Sequence, residues 1–156
     1  ISSGASELIR EFVEFTQIPC VETLMALGSL NADNPNRLGM VGMHGSYAAN
    51  MAMSETDLII CLGARFDDRV TGKLSEFAKN AKIIHVDIDP SSISKIVNAH
   101  FPIVGDVKSV LEEMLPRIKE EVSAESFSIW RELIAKYEAR NLEEVFEKVV
   151  KLREVL

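Results

Sequence analysis

The chain has 156 residues, with 47% apolar and 26% charged side chains and a formal net charge of −7. That is one domain by length, apolar enough to bury a core, and its acidic balance excludes a nucleic-acid surface. No apolar run nears the ~20 residues of a membrane span, and no secretory segment opens the chain, so a cytoplasmic setting is expected.

Residues Ser3 to Thr16 carry Leu8, Ile9, Phe12 and Val13 at helical spacing. Pro19 to Thr23 reads as a short strand, followed by a long loop with Gly28, Gly39, Gly42 and Gly45. Ser46 to Glu55 is expected as a helix, and Leu58 to Leu62 (LIICL) as a strand buried on both faces. A short helix near Leu74 to Ala78 leads to a strand at Lys82 to Asp87. Pro90 to Val97 suits a helix that starts on proline, Phe101 to Val104 a strand, and Asp106 the cap of a helix reaching about Glu121.

Helices alternating with unbroken apolar strands predict a doubly wound, mostly parallel α/β sheet. The chain opens on a helix with no strand before it, and Ile1-Ser2-Ser3-Gly4 resembles the end of a glycine-rich turn. We therefore expect an excised fragment, cut after its first strand. From Arg117 onward, 17 of 40 residues are charged and glycine is absent. Ile129, Trp130, Leu133, Ile134 and Tyr137 form one apolar stripe, and Leu142, Val145, Phe146, Val149 and Leu152 a second. Two amphipathic helices are expected there, docked on the sheet domain or on a neighbour.

Chemistry concentrates between Gly39 and Gly72. A glycine-punctuated loop holds His44, read as buried and as a hydrogen-bonding positioning group rather than a base. Arg65, just past the strand end, is placed either to fork onto a phosphate or to pair with Asp67 or Asp68 on the surface. Asp87 ends a strand, where an acid accepts a ribose hydroxyl or caps the next turn, and Asp106 repeats that choice. Asp67 and Asp68 are adjacent on a loop and so are not expected to share a proton. Met40 and Met43 could line an apolar ring. Cys20 and Cys61 read as reduced core thiols, and His44, His85 and His100 lack metal-ligand spacing, so no metal site is expected. Read alone, these residues suit an extended nucleotide cofactor and define no reaction.

Five strings occur in order: TLMALG (Thr23–Gly28), GMHG (Gly42–Gly45), GARFDDRVTGKL (Gly63–Leu74), HVDIDP (His85–Pro90) and GDV (Gly105–Val107). Together they resemble the central domain of the acetohydroxyacid (acetolactate) synthase catalytic subunits, in the thiamine-diphosphate-dependent enzyme family, over roughly Ser3 to Leu115. The resemblance implies a Rossmann-like, six-stranded domain over residues 1–120, its first strand absent here, and a helical tail over 121–156 that Trp130 matches to the linker to a third domain. It implies structural binding of FAD by Thr23, Leu24, Val41, Gly42, Met43, His44, Gly63, Ala64, Arg65, Phe66, Asp67, Asp87, Ile88, Asp106 and Val107. Met43, Asp68 and Arg69 match positions facing the active site, where Arg69 would hold the carboxylate of the acceptor 2-keto acid.

The implied reaction condenses pyruvate with pyruvate or 2-ketobutyrate in branched-chain amino-acid biosynthesis. Thiamine diphosphate, Mg2+ and the activating Glu would belong to other domains, and a second catalytic subunit and a regulatory subunit are implied partners. The fragment alone is therefore expected to be inactive and, with part of the pyrophosphate cradle missing, to bind FAD weakly. The alternatives are the central domain of a pyruvate oxidase or glyoxylate carboligase, or a stand-alone nucleotide-binding module.

Overall fold

The computed structural model describes residues 2–123, 129–140 and 142. In chain order the elements are α1 (Ser6–Thr16), β1 (Cys20–Glu22), β2 (Arg37–Met40), α2 (Tyr47–Glu55), β3 (Leu58–Leu62), α3 (Asp68–Thr71), β4 (Lys82–Asp87), β5 (Phe101–Val104) and α4 (Val107–Glu121). Short 3-10 turns lie at Leu24–Ala26 and Leu74–Glu76. Every strand pairing is parallel: β1 with β2, and β3-β4-β5 in that order. Among the described residues there are thus two parallel sheets, one of two strands and one of three.

Side-chain alternation sorts the three-stranded group into two faces. Leu62, Ile84, Val86 and Ile103 pack with Ala5, Leu8 and Ile9 of the first helical segment and with Val107 and Leu111 of α4. On the other face Ile59, Cys61 and Ile83 pack with Phe66, Phe77, Ala78, Ala81 and Met53. Both faces are covered, as a doubly wound sheet requires. Asp106 caps α4 as expected, its Oδ1 accepting from the amides of Lys108 at 2.9 Å and Ser109 at 3.3 Å.

Three segments differ from expectation. The helix expected near Leu74 to Ala78 is only the 3-10 turn Leu74–Glu76, Phe77 being extended. Strand β2 lies inside the segment read as a loop, because Gly39 at φ +80° interrupts the apolar pattern and the β1–β2 register slips at that point. Leu38 is nonetheless buried against Ala49 and Ala52 of α2. Conversely, 90–97 is a run of turns and not a helix. The Asp89 carboxylate accepts from the Ser91 amide and from the hydroxyls of Ser91 and Ser92, an Asx-type turn that competes with helix formation, and Ser94 sits at φ +57°. Those serine bonds also hold the Asp89 carboxyl below its ordinary pKa.

Residues 129–140 are helical. Ile134 is buried with Leu38, Ala49 and Ala52, Trp130 packs beside it, and Tyr137 bonds the Glu55 carboxylate and meets Tyr47 edge-on. Trp130, Ile134 and Tyr137 of the first tail stripe therefore dock on β2 and α2 of the same chain, whereas Ile129 is 80% exposed. Of the second stripe Leu142 is exposed, whereas Val145, Phe146, Val149 and Leu152 lie outside the described residues. Among the described residues no helix is long and apolar enough to cross a membrane.

One buried charge fixes the first connection. Glu22, only 2% exposed, accepts at Oε1 from the Gly28 and Leu30 amides and at Oε2 from Arg37 Nε at 2.6 Å. Glu22→Leu would strand two amides and a guanidinium together. We expect it to lower the unfolding free energy by about 3 kcal/mol, measured by urea denaturation.

Candidate functional site

Within each sheet the strands are parallel and share a carboxyl edge, the two groups meeting where Gly42 approaches Arg69, and each expected site residue follows a strand end. Thr23 and Leu24 follow β1, and Val41 to His44 follow β2. Gly63 to Asp67 follow β3, Asp87 and Ile88 close β4, and Asp106 and Val107 follow β5. This is the edge where open α/β sheets place ligands.

The second and third connections are locked together. Gly42 has φ +100°, and a Cβ there would lie 2.2 Å from the Arg69 carbonyl oxygen. The next residue donates its amide, Met43 N to Arg69 O, at 2.9 Å. Asn50 of α2 holds the other side of the same glycine: Oδ1 accepts from Gly42 N at 2.9 Å and Nδ2 donates to Gly42 O at 3.0 Å. Asp67 Oδ1 caps α3 through the Arg69 and Val70 amides, which orients Asp68 and Arg69 on that helix's first turn. The side chains of Met43, His44, Asp68 and Arg69 are exposed around this junction. His44 is therefore not a buried group; the tight Gly42–Gly45 turn faces it outward.

The buried histidine is His85, 1% exposed on β4. Its Nε2 donates to Ala64 O at 3.0 Å, and Cys61 Sγ donates to the same carbonyl at 3.1 Å. Nε2 must carry the hydrogen because a carbonyl only accepts. His85 also meets the Phe66 ring edge-on at 5.2 Å, while its Nδ1 is buried with no partner among the described residues. The loop that carries Arg65 is thus pinned from beneath. Burial pushes the Cys61 and Cys20 thiols up to about 12, so both are inert in the folded chain.

Arg65 itself is exposed and, among the described residues, pairs with neither Asp67 nor Asp68. It lines a cavity of about 170 Å³ with Phe66, Asp67, Ser92, Lys95 and Ile96. Two cations and a hydroxyl line it with two apolar side chains and the Asp67 carboxylate, whose Oδ1 is engaged by the Arg69 and Val70 amides, so the lining suits an anionic group attached to an apolar one. Asp87 is 8% exposed, and its Oδ1 accepts from the Asp89 amide at 2.9 Å. Gly63 approaches Val107 closely, so that a Cβ would sit 3.2 Å from Val107 Cγ2, joining the third and fifth connections.

Sequence reasoning missed four contributors. Ser92 and Lys95 were assigned to a helix that does not form. Glu22 and Asn50 act through tertiary contacts that no local pattern announces. The edge is also rimmed by apolar side chains, Leu24 at 68%, Met25 at 85%, Met43 at 69% and Ile88 at 70% exposure. Four such residues on one edge mark a surface that something covers. Among the described residues no cluster of His, Cys, Asp or Glu is placed to hold a metal ion.

Parallel strands, helices on both faces and one residue-rich carboxyl edge define a Rossmann-like α/β domain. The family model for the thiamine pyrophosphate enzyme central domain matches residues 1–114, and the chain belongs to that family. It is 48% identical over 137 residues to the acetolactate synthase large subunit of Buchnera aphidicola subsp. Schizaphis graminum, covering 88% of this chain and 24% of that protein. Its identity to the large subunit of Cyanidium caldarium is 55% over 120 residues, covering 77% and 20%. With acetolactate synthase isozyme 3 large subunit of Escherichia coli it is 43% over 143 residues, covering 90% and 25%. The chain thus spans about a quarter or less of the length of these relatives.

Gly42→Ala would force a methyl group against the Arg69 carbonyl in a backbone region that L-residues avoid. We expect a loss of about 2–3 kcal/mol of stability in a thermal melt, with the Met43–Arg69 bond broken.

Proposed function

We propose that the chain is the central domain of an acetolactate synthase large subunit, a transferase that joins two 2-keto acids, and that its carboxyl edge binds FAD. What supports this reading is that the expected residues follow strand ends, with the connections after β2, β3 and β5 in mutual contact, together with the cavity that Arg65, Ser92 and Lys95 line. The identity to large subunits, 43–55% over most of the chain, supports the same reading.

The residues fit a flavin dinucleotide. Arg65, with Lys95 and Ser92 beside it, would hold the negatively charged pyrophosphate, and Asp87 would accept from the ribose. Thr23, Leu24, Val41 to His44, Gly63 to Asp67, Ile88, Asp106 and Val107 would enclose the rest, the exposed apolar rim giving the flavin ring an apolar seat. When bound, the flavin serves a structural role and is not oxidised or reduced in turnover.

Arg69 would face the substrate pocket. Its guanidinium makes no side-chain bond among the described residues, leaving its fork available for the acceptor's carboxylate. Met43 would pack against the acceptor's short aliphatic part, and Asp68 would set the polarity beside Arg69. Thiamine diphosphate and Mg2+ would be held by other parts of the enzyme, with a second catalytic subunit completing the site and a regulatory subunit as a further partner. The two inert thiols suit a reducing, cytoplasmic compartment.

The test uses the enzyme assembled at the relatives' length. Wild type should form acetolactate from pyruvate with thiamine diphosphate, Mg2+ and FAD. Arg65→Ala should raise the FAD Kd about 10- to 100-fold, with Arg65→Lys in between because it keeps the charge and loses the fork. Absence of acetolactate, or unchanged FAD affinity in Arg65→Ala, would overturn the reading.

A further inference from the structure

We infer that Asn50 is a positioning residue: by gripping Gly42 from α2, it sets where Met43 and Arg69 stand against the substrate. The inference rests on the proposed role of those two residues. Its basis is a continuous chain of contacts. Asn50 satisfies both backbone groups of one buried glycine, at 2.9 and 3.0 Å, using its carboxamide as a strand would use a peptide. The following amide, of Met43, then bonds the Arg69 carbonyl at 2.9 Å. Gly42 lies so close to Arg69 that even a methyl group is excluded between them. Movement of Gly42 therefore moves Met43 directly and Arg69 through its backbone.

The chemistry of the grip is specific to asparagine. It needs one donor and one acceptor on a short side chain. Aspartate is acceptor-only when ionised and would set an oxygen against Gly42 O. Alanine leaves a buried N–H and a buried C=O unmet, so the connection between β2 and α2 would seek other partners. A residue that served only the helix would need neither contact. The helix already has its own cap, since Ser46 Oγ accepts from Ala49 N at 3.0 Å.

The test compares Asn50→Ala with Ala52→Gly, which weakens the same helix by about 1 kcal/mol and thins its packing on Leu38 while leaving both Asn50–Gly42 hydrogen bonds in place. In the assembled enzyme, Asn50→Ala should speed amide exchange at Gly42 and Met43 by about 10- to 100-fold. It should also raise KM for the acceptor 2-keto acid about tenfold, with kcat changed less. Asn50→Asp should do the same, and Ala52→Gly should leave both readouts at wild-type values. The inference is overturned if Asn50→Ala leaves exchange or KM unchanged, or if Ala52→Gly moves both equally. Should wild type turn over no 2-keto acid, the functional reading fails, and the exchange rates still decide whether Asn50 holds Gly42.

Discussion

Parallel pairing of the strands is the constraint from which the rest of this structure follows. When β3, β4 and β5 run the same way, each connection must cross back over a face of the sheet, and each leaves the strands on the same edge. The crossovers bury Ile59, Cys61 and Ile83 on one face and Ile84, Val86 and Leu62 on the other, which stiffens the strands. The two-stranded pair β1–β2 is likewise parallel, and the connection after β2 meets the one after β3 where Gly42 approaches Arg69. A site made of five loops is thereby held by a scaffold of short strands.

What keeps those loops in place is a set of polar side chains, each spent on backbone groups. Glu22 holds the connection after β1, Asn50 the one after β2, and His85 with Cys61 the one after β3. Asp87 fixes the turn after β4 and Asp106 the start of α4. Exposed loop backbone would otherwise have only water as a partner and would sample many conformations. With the backbone satisfied internally, Arg65, Arg69 and His44 remain at the surface with their polar ends directed outward. The division of labour is chemical: buried and half-buried polar groups shape the edge, and exposed ones meet whatever docks on it.

Much of this was legible in the chain. Strand β3 stands out as the unbroken apolar run LIICL, although it is fully buried only at Ile59 and Cys61, with Ile60 and Leu62 half-buried and Leu58 exposed; β4 stands out by Ile83, Ile84 and Val86, and Asp106 announces α4 as an N-cap. Strand β2 was hidden by Gly39, whose positive φ belongs to a bulge and whose missing side chain breaks the alternation. The segment 90–97 misled in the opposite direction: proline at a helix start outweighed the serines and Asp89, whose local hydrogen bonds favour a turn. The histidines exchanged roles for a similar reason. A His in a glycine-rich loop looks enclosed, whereas His85, on an apolar strand, is the one that Phe66 and Ala64 bury. The positions of the expected site residues were readable because they follow strand ends. Glu22 and Asn50 were not, because their partners lie 6 to 15 residues away and carry no pattern.

The central claim is that one edge, the carboxyl ends of five parallel strands, is the ligand-binding surface. Amide chemical-shift mapping during titration with FAD tests it directly and tolerates weak binding. The account predicts saturable shifts at Leu24, Met43, Ala64, Ile88 and Val107, one residue from each strand end. Shifts confined to the opposite edge, around Arg37, Leu58, Lys82 and Phe101, or no shift at any FAD concentration, would contradict it.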